Sequence, residues 1–242
     1  MRIVARTDTG LVRDNNQDSY IACELQDGAV LAVVCDGMGG AAEGALASSE
    51  AVKAIKERVV ERYYGGMTDL SVRSLLVSAL EFANKQIYDL SLTDEKYEGM
   101  GTTVVAAIVS ESFAYIAHAG DSRAYLISNG KLSQLTRDHS VVQRMVENGE
   151  ITAEEAEDHP SKHIITRAMG VDSEIKIDFC QELFGDDDIL LLCSDGLTNY
   201  TDNSDILNLT GDGCYYKFAD RLVNLANRNG GGDNITVVTV SQ

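Results

Sequence analysis

Hydrophobic residues recur along the chain with two different periods. Short apolar runs, many of them rich in valine and isoleucine, predict β-strands. The predicted strands cover residues 2–9, 19–25, 29–35, 102–109, 113–119, 122–128, 131–136, 174–181, 188–194 and 235–240. Apolar positions spaced three and four residues apart predict helices at residues 43–64, 70–90 and 215–227.

Turn signals divide these elements. Asn129-Gly130 predicts a hairpin within an antiparallel meander. Residues 140–162 are polar and mostly helical by pattern, with Thr152 and Glu155 spaced as a capping box. Polar turns are predicted between the strand at residues 188–194 and the helix at residues 215–227. Because strands and helices come in blocks, we expect one domain of the α+β class, with layered antiparallel sheets rather than alternating βαβ units.

The run of residues 29–35 is apolar at every position and leads into Asp36, which a glycine-rich segment follows. Such a run predicts a strand that is buried on both faces, so that Asp36 lies at the edge of a core. Asp195 likewise follows an apolar strand and precedes a glycine, whereas Asp121 and Asp233 each follow a glycine near a strand end.

A fifth aspartate, Asp18, lies just before a predicted strand. Turn chemistry would explain each of these aspartates singly, but turns accept Asn or Ser as readily. The repetition therefore predicts a shared carboxylate site. Repulsion within such a site would raise the pKa values of the carboxyl groups unless cations neutralised them.

Oxygen ligands without accompanying cysteine or histidine pairs favour Mg²⁺ or Mn²⁺ over zinc. His159 and His163 have i, i+4 spacing, but Pro160 separates them and no cysteine pair accompanies them, so no zinc site is predicted there. Two such cations, about 3.5 to 4 Å apart, would activate a bridging water for attack on phosphorus. Arg13 is a candidate phosphate ligand because a guanidinium matches two phosphate oxygens, although an ordinary surface charge is an equal alternative.

Composition narrows the choice of partners. The 242 residues include 38 acidic and 20 basic side chains, for a net charge of −18, which disfavours nucleic acids and anionic membranes as partners. No apolar run approaches the length of about 20 residues that spans a bilayer, and no signal peptide is recognisable, so the cytoplasm is the expected location. Five cysteines without paired spacing indicate reduced thiols, and Cys23, Cys35, Cys180 and Cys193 are predicted core residues.

Eight short motifs carry a family resemblance. They are RDNNQD (13–18), DGMGG (36–40), GTT (101–103), AGDSR (119–123), LTRDHS (135–140), ITRAMG (165–170), CSDGL (193–197) and GGDN (231–234). In this order and spacing they resemble the metal-dependent PPM-type (type 2C) serine/threonine protein phosphatases, specifically a compact bacterial member. The resemblance covers nearly the whole chain. It implies a central sandwich of two antiparallel β-sheets flanked by pairs of α-helices, with a dinuclear metal site in a cleft at one end.

The resemblance also implies a set of ligands for two Mg²⁺ or Mn²⁺ ions per chain and a weaker third ion. The implied metal ligands are Asp18, Asp36, Gly37, Asp121, Asp195 and Asp233. Asp36 would bridge the two principal ions. Of the others, the Gly37 carbonyl and, through water, Asp18 would serve one ion, and Asp195 and Asp233 would hold the second. Asp121, with help from Asp195, matches the third position.

By the same resemblance, Arg13 would bind phosphate and residues 140–165 would form a mobile flap beside the cleft. This flap is strongly acidic here, which suggests a part in substrate selection. Its acidic residues are Glu147, Glu150, Glu154, Glu155, Glu157 and Asp158.

Two positions depart from the family pattern. Met38 stands where larger eukaryotic relatives have a histidine considered a general acid, and Ala41 stands where many bacterial members have a histidine. No side chain is therefore assigned to protonate the leaving group, and metal-bound water is the replacement we expect. His118 and His139 belong to family motifs but receive no catalytic role, and a structural role is equally open.

The predicted function is hydrolysis of phosphoserine and phosphothreonine in proteins by direct attack of a metal-bridging hydroxide, with Arg13 and Asp36 as the catalytic residues. Two alternatives are a catalytically silent phosphoprotein-binding regulator with the same fold and a two-metal nuclease, which the acidic composition disfavours. The expected partners are phosphoproteins and a cognate Ser/Thr kinase. A monomer is expected.

Overall fold

Four layers of secondary structure make up the chain, in a computed structural model that describes residues 1–210 and 214–242. Two β-sheets are stacked between helices. The strands are β1 (Arg2–Asp8), β2 (Asp18–Glu24), β3 (Val30–Met38), β4 (Gly101–Thr102), β5 (Val104–Val109), β6 (Phe113–Ala119), β7 (Arg123–Ser128), β8 (Lys131–Gln134), β9 (Asp178–Leu183), β10 (Ile189–Cys193) and β11 (Ile235–Ser241). The helices are α1 (Ala41–Arg62), α2 (Asp69–Ser91), α3 (Val141–Glu147), α4 (Ala153–Glu157), α5 (Asp195–Thr198), α6 (Asn203–Thr210) and α7 (Phe218–Arg228).

The first sheet has the strand order β1-β11-β10-β7-β8, and the second has the order β2-β3-β5-β6-β9, with β4 paired to β3. Every one of these pairs is antiparallel. Helices α1 and α2 pack on the second sheet, and α5, α6 and α7 pack on the first. The predicted α+β sandwich with helices on its outer faces is confirmed.

Strand β3 lies inside the second sheet and is covered on both faces, as its continuous apolar run predicts. One set of its side chains packs toward α1 and α2, namely Leu31, Val33 and Cys35. The alternate set packs toward the other sheet, namely Val30, Ala32 and Val34. This strand therefore joins the helix-side core to the core between the sheets, and its end carries Asp36.

Helix α7 covers the first sheet through one apolar face that includes Phe218, Leu222 and Ala226. These side chains contact the outward set of β10 and β11, to which Leu191 and Val237 belong. The inward sets of the same strands contribute to the core between the sheets. Burial on both faces explains why β10 is entirely apolar, and the polar residues of β11 are small and buried, namely Thr236, Thr239 and Ser241.

The strand predicted at residues 174–181 is displaced. Strand β9 occupies Asp178–Leu183, and its first pair with β6 joins Asp178 to His118. Strand β6 ends at Ala119, which this register places opposite Ile177, so residues 174–176 have no partner strand to pair with. Ile175 and Ile177 pack on the helix-side core without forming a strand, although their alternation imitates one.

The polar turns predicted between β10 and α7 are in part helical. Helix α5 starts directly after β10, and α6 follows at Asn203–Thr210. Asp202 Oδ1 accepts the backbone N–H of Asp205 at 2.8 Å, which caps the first turn of α6. Both helices are shorter than the window of about 11 residues over which a helical spacing of apolar residues can be recognised. Residues 211–213, part of the same predicted turn segment, lie outside the described residues.

Several local predictions are confirmed. Asn129 and Gly130 form the β7–β8 hairpin turn with positive φ angles of 51° and 70°. Thr152 and Glu155 form the capping box at the start of α4. The cysteines are free, but of the four predicted core cysteines only Cys35 and Cys193 are fully buried, because Cys23 and Cys180 lie in strands at the sheet edges. None of the helices within residues 1–210 and 214–242 is both long and apolar enough to cross a bilayer.

Candidate metal and phosphate site

Strands β2 and β3 bring the first two predicted ligands together. Asp18 opens β2 and lies directly opposite Asp36 in the antiparallel register. Strand β3 does not end before Asp36, as the sequence suggested, but continues to Met38 because Gly37 and Met38 pair with β4. The Asp36 side chain is thus fixed on a paired strand rather than on a turn.

The glycine after Asp36 is required by packing. A Cβ on Gly37 would lie 2.1 Å from the carbonyl oxygen of Gly44 in α1, and the φ angle of Gly37 is not positive. Gly196, which follows Asp195, is constrained in the same way, because a Cβ there would lie 1.9 Å from the carbonyl oxygen of Asn234. Both Asp-Gly pairs therefore mark close backbone approaches rather than the turn conformations that the dipeptide usually indicates.

The backbone of Asp36 is held on both sides by two threonines. Its N–H donates to Thr103 Oγ1 at 3.0 Å. Its carbonyl accepts from the Thr103 N–H and from the Thr102 hydroxyl, each at 2.8 Å. Thr103 Oγ1 also lies 2.7 Å from Ser122 Oγ, the hydroxyl of the residue after Asp121. A single buried hydroxyl thus links the segments that carry Asp36 and Asp121.

The carboxylate of Asp18 is buried and only half satisfied. Its Oδ2 accepts a hydrogen bond from the Ser194 hydroxyl at 2.7 Å, and Ser194 Oγ in turn accepts the Thr236 N–H at 3.0 Å. Oδ1 of Asp18 is buried without a hydrogen-bond partner among the described residues. Asp195 is similar, because its Oδ2 accepts from Asn199 at 2.9 Å while its Oδ1 is buried and has no hydrogen-bond partner in the described part of the chain.

Arg13 lies at the exposed edge of the site. Its Nη2 donates to Oδ2 of Asp233 at 2.9 Å, and about half of its side chain, 51%, is exposed. The hydrogen bond to Asp233 raises the pKa of Arg13 above its usual value, and Asp36 and Asp195 add to this by charge attraction. Arg13 is therefore a fixed cation next to the carboxylates.

Asn234 holds the loop that carries Arg13. Its Nδ2 donates to the carbonyl oxygens of Thr9 and Asn15, each at 2.9 Å, and its Oδ1 accepts the Gln17 N–H at 2.8 Å. The buried amide thus ties residues 9–17 to the start of β11. This loop would otherwise have no regular structure to fix it.

The carboxylates raise one another's pKa values. Burial, followed by repulsion from neighbouring carboxylates, raises the pKa of Asp36 well above its ordinary value and the pKa of Asp195 as well. Burial and repulsion likewise raise the pKa of Asp18 and of Asp121 to about 7. So much negative charge, together with buried carboxylate oxygens that lack a partner among the described residues, fits hard divalent cations, which prefer oxygen ligands.

A cleft of about 960 Å³ opens next to Asp121 and Asp195. One wall is formed by α3, α4 and the residues around them, and the other by residues 198–205. Glu157 and Asp158 of the predicted flap lie on the first wall, and Asp202 and Asp205 lie on the second. Acidic side chains outnumber the two basic ones in the lining, Arg123 and Lys162, so the cleft leads from the carboxylates along a mainly acidic surface.

Sequence reasoning assigned roles to the aspartates and Arg13 but missed the residues that hold them. Thr103, Ser194 and Asn234 lie within quoted motifs, next to or near the assigned side chains. The available signal was a small polar residue at the end of an apolar strand, where a buried hydroxyl or amide must find a partner. Which partner it finds depends on contacts between the sheets, which the sequence alone does not display.

Comparison with known proteins decides the family. A family model described as protein phosphatase 2C matches residues 12–233. The chain belongs to this family. The match begins just before Arg13 and ends at Asp233, so that it encloses every residue predicted for the site.

Two bacterial phosphatases are similar to this chain over nearly its whole length. The serine/threonine phosphatase stp of Listeria welshimeri is 40% identical over 240 residues, which cover 98% of this chain and 94% of the relative. The crystal structure of the serine/threonine phosphatase Stp1 from Staphylococcus aureus has a TM-score of 0.93 and 36% identity, and the match covers 100% of this chain and 95% of the other.

A third relative carries metal. The catalytic domain of the serine/threonine protein phosphatase PstP, solved in complex with two manganese ions, has a TM-score of 0.86 and 36% identity. The match covers 98% of this chain and 96% of that chain. The predicted family, the phosphatase activity and its dependence on metal are thereby confirmed, and the catalytic interpretation is favoured over that of a silent binding protein.

Proposed function

We propose that this chain removes phosphate from phosphoserine and phosphothreonine in proteins at the carboxylate cluster beside Arg13. The observation that carries the proposal is the pairing of buried, partly unpartnered carboxylates on two stacked sheets with an arginine at their exposed edge. Anionic ligands attract divalent cations, and the guanidinium attracts the phosphate.

The ligand assignment follows the positions of the carboxylates. The charges of all the other aspartates in the cluster raise the pKa of Asp36, which supports its role as the ligand shared by two Mg²⁺ or Mn²⁺ ions. Asp18, acting through water, and the Gly37 carbonyl would serve one ion. Asp195 and Asp233 would serve the other.

Asp121 is proposed as the ligand of a weaker third ion, with help from Asp195. Both residues line the cleft, and the charge of Asp195 raises the pKa of Asp121. The third ion would therefore lie toward the cleft rather than under Arg13.

When bound, divalent cations lower the pKa of a coordinated water and offset the charge of the phosphoryl group. Arg13 orients that group. One of its donors is engaged by Asp233, and its other N–H donors are available to phosphate oxygens. Met38 carries no ionisable proton, so we propose that water protonates the departing serine or threonine oxygen.

The substrate segment would lie in the cleft next to Asp121, with the flap at residues 140–165 as one wall. Glu157 and Asp158 on this wall, and Asp202 and Asp205 on the other, would favour a segment that carries Lys or Arg. We also propose that the flap moves when substrate binds.

Residues 1–242 are proposed to form a single catalytic domain, because β1 pairs with β11 and both sheets share one core. A monomer is proposed, acting in the cytoplasm on phosphoproteins and opposing a cognate Ser/Thr kinase. The kinase is proposed from the sequence resemblance, and the cytoplasm from the sequence, in which no spanning run or signal peptide is recognisable.

Hydrolysis of a phosphothreonine peptide and of an aryl phosphate, each with EDTA, Mg²⁺ or Mn²⁺, tests the proposal. Phosphate should be released from both compounds with metal and from neither with EDTA. Thermal unfolding is followed in parallel, because metal at a hundredfold excess over its Kd should add roughly 2.7 kcal/mol of stability. Stabilisation without turnover would contradict the proposal and favour the silent binding protein.

A further inference from the structure

One buried histidine holds both polar backbone groups of Gly120, the residue before Asp121. The Gly120 N–H donates to Nδ1 of His139 at 3.0 Å. The Gly120 carbonyl accepts the backbone N–H of His139 at 2.9 Å. Only 7% of His139 is exposed, and Gly120 is buried. Water therefore does not readily replace these hydrogen bonds.

The orientation of the His139 ring is set from its other side. Because Nδ1 accepts a hydrogen bond from a backbone N–H, the proton of the neutral ring is on Nε2. Nε2 lies 3.2 Å from Oδ2 of Asp178, so the Nε2–H donates a hydrogen bond to this carboxylate oxygen. Arg167 Nη1 donates to Asp178 Oδ1 at 2.8 Å and to the Lys176 carbonyl at 3.1 Å, which fixes the carboxylate.

This cluster is not a second metal site. His118, His139 and Asp178 present ligand-type atoms within 4.8 Å of one another. However, Arg167 Nη1 lies 2.9 Å from His139 Nε2 and is bonded to Asp178. A cationic guanidinium thus already occupies the position that a metal ion would need. The cluster therefore acts through the backbone groups that it binds, which are those of Gly120.

The turn that His139 holds is constrained on both sides of Asp121. Gly120 has a φ angle of +113°, and a Cβ there would lie 2.6 Å from Thr103 Cβ. On the other side, Ser122 Oγ lies 2.7 Å from Thr103 Oγ1. If the Nδ1 acceptor were removed, a buried N–H would lose its partner, and the turn would shift to satisfy it.

We propose that His139 is a positioning residue that fixes Asp121 for cation binding through the backbone of Gly120. The inference rests on the proposed role of Asp121 as the ligand of the weaker third ion. Groups that orient a ligand without touching the metal typically change metal affinity by about 10- to 100-fold when they are removed. His139 is therefore expected to affect the third ion and not the two principal ions.

Two substitutions of similar size separate this role from a merely structural one. In His139→Asn, the amide oxygen can take the place of Nδ1 and accept the Gly120 N–H. In His139→Gln, the longer side chain reaches the position of Nε2 near Asp178 but leaves Gly120 without its acceptor. Both variants remove the ring, and Asn leaves the larger space, so a loss of packing alone would harm His139→Asn at least as much as His139→Gln.

His118 supplies the matched control. Its ring stacks on that of His139, with centroids 4.8 Å apart and planes 3° apart, but its Nε2 contacts the backbone of Arg137 and not Gly120. His118→Gln keeps a polar group near Arg137 and removes the stacked ring. It should leave the affinity for the third ion unchanged.

The experiment measures Mn²⁺ binding by calorimetry and by electron paramagnetic resonance on the full chain, with thermal unfolding in EDTA as a check of folding. His139→Gln should raise the Kd of the weakest Mn²⁺ about tenfold and leave the two tight ions unchanged, whereas His139→Asn should stay near the wild-type value. Equal losses in the Asn and Gln variants, or no loss in either, would overturn the inference. Wild-type protein without a weaker third ion would instead overturn the proposed ligand role of Asp121.

Discussion

Ser194 Oγ lies 2.7 Å from Oδ2 of Asp18, although 176 residues separate them in sequence. Asp18 belongs to β2 of the second sheet, and Ser194 follows β10 of the first. This hydrogen bond therefore crosses between the sheets at the carboxylate cluster. The proposed metal ligands can assemble only when the two sheets are stacked, which makes the site a product of the fold rather than of one local motif.

Ser194→Ala should destabilise the protein by about 1–3 kcal/mol, because it removes a hydrogen bond to Asp18 and leaves the buried Thr236 N–H without its acceptor. Urea unfolding in EDTA measures the change. The control is Ser78→Ala on α2, where the hydroxyl donates to a carbonyl of its own helix and a change within about 0.5 kcal/mol is expected. Equal effects of the two substitutions would contradict the bridging role of Ser194.

Arg13→Ala should raise KM for a phosphothreonine peptide more than it lowers kcat, since it removes a phosphate contact that forms before the chemical step. Steady-state kinetics with saturating Mn²⁺ measures both constants. Arg62→Ala at the end of α1 is the control, because its side chain is exposed to the same degree, 52% against 51%. A loss confined to kcat would show that Arg13 acts only in the transition state.

Asp121→Asn should make the metal-free protein more stable than wild type at neutral pH. Burial and neighbouring carboxylates raise the pKa of Asp121 to about 7, whereas an aspartate in an unfolded chain has a pKa of about 3.9. Between these two values the native state binds more protons than the unfolded state. The stability that protonated Asp121 contributes is therefore lost as pH rises through about 7. The advantage of the Asn variant should grow from pH 4 to about pH 7 and then level off.

Thermal unfolding of both proteins in EDTA from pH 4 to pH 8 checks this. His139 gives stability the opposite pH dependence, because burial lowers its pKa to about 4. Both proteins contain His139, so its contribution cancels when they are compared. In Mn²⁺ the advantage should shrink, because the cation favours the ionised carboxylate. A difference between the proteins that does not vary with pH in EDTA would refute the raised pKa of Asp121.

The acidic cleft should favour phosphopeptides with Arg or Lys beside the phosphorylated residue over peptides with Glu there. The double variant Glu157→Gln/Asp158→Asn should reduce the ratio of kcat/KM values for the two peptides about threefold, the size of an exposed charge contact. The control is Glu50→Gln/Glu61→Gln on α1, outside the cleft. Equal ratios in all three proteins, at low and at high salt, would contradict a role of the flap in selection.

The continuous run before Asp36 correctly predicted a strand that is buried on both faces, because burial requires apolar side chains on both sets of alternating positions. The capping box of Thr152 and Glu155 and the Asn129-Gly130 hairpin were predictable for a similar reason, as each depends on residues close in sequence. The shared aspartate site was predicted because repetition made turn chemistry a poor explanation for the aspartates, and Asp18 and Asp36 lie opposite each other in the β2–β3 register, as such a site requires.

The remaining features depend on contacts distant in sequence. Gly37 is required by the approach of Gly44, and Ser194 is required by Asp18, and neither partner can be read from the local pattern. The strand signal at residues 174–177 was misleading because its alternation reflects packing on the helix-side core, and β6 offers no partner to residues 174–176. Helices α5 and α6 are shorter than the window over which a helical period becomes visible.

Asp36 is the residue on which the proposed metal site depends most, because it is the ligand proposed to be shared by two cations. The decisive measurement counts Mn²⁺ bound per chain in wild type, Asp36→Ala and Asp121→Ala, together with phosphate release from a phosphothreonine peptide by the same samples. Wild type should bind two ions tightly, Asp36→Ala should lose both the ions and turnover, and Asp121→Ala should keep two ions while its rate falls. Retention of both tight ions in Asp36→Ala, or equal metal loss in the two variants, would contradict the assignment.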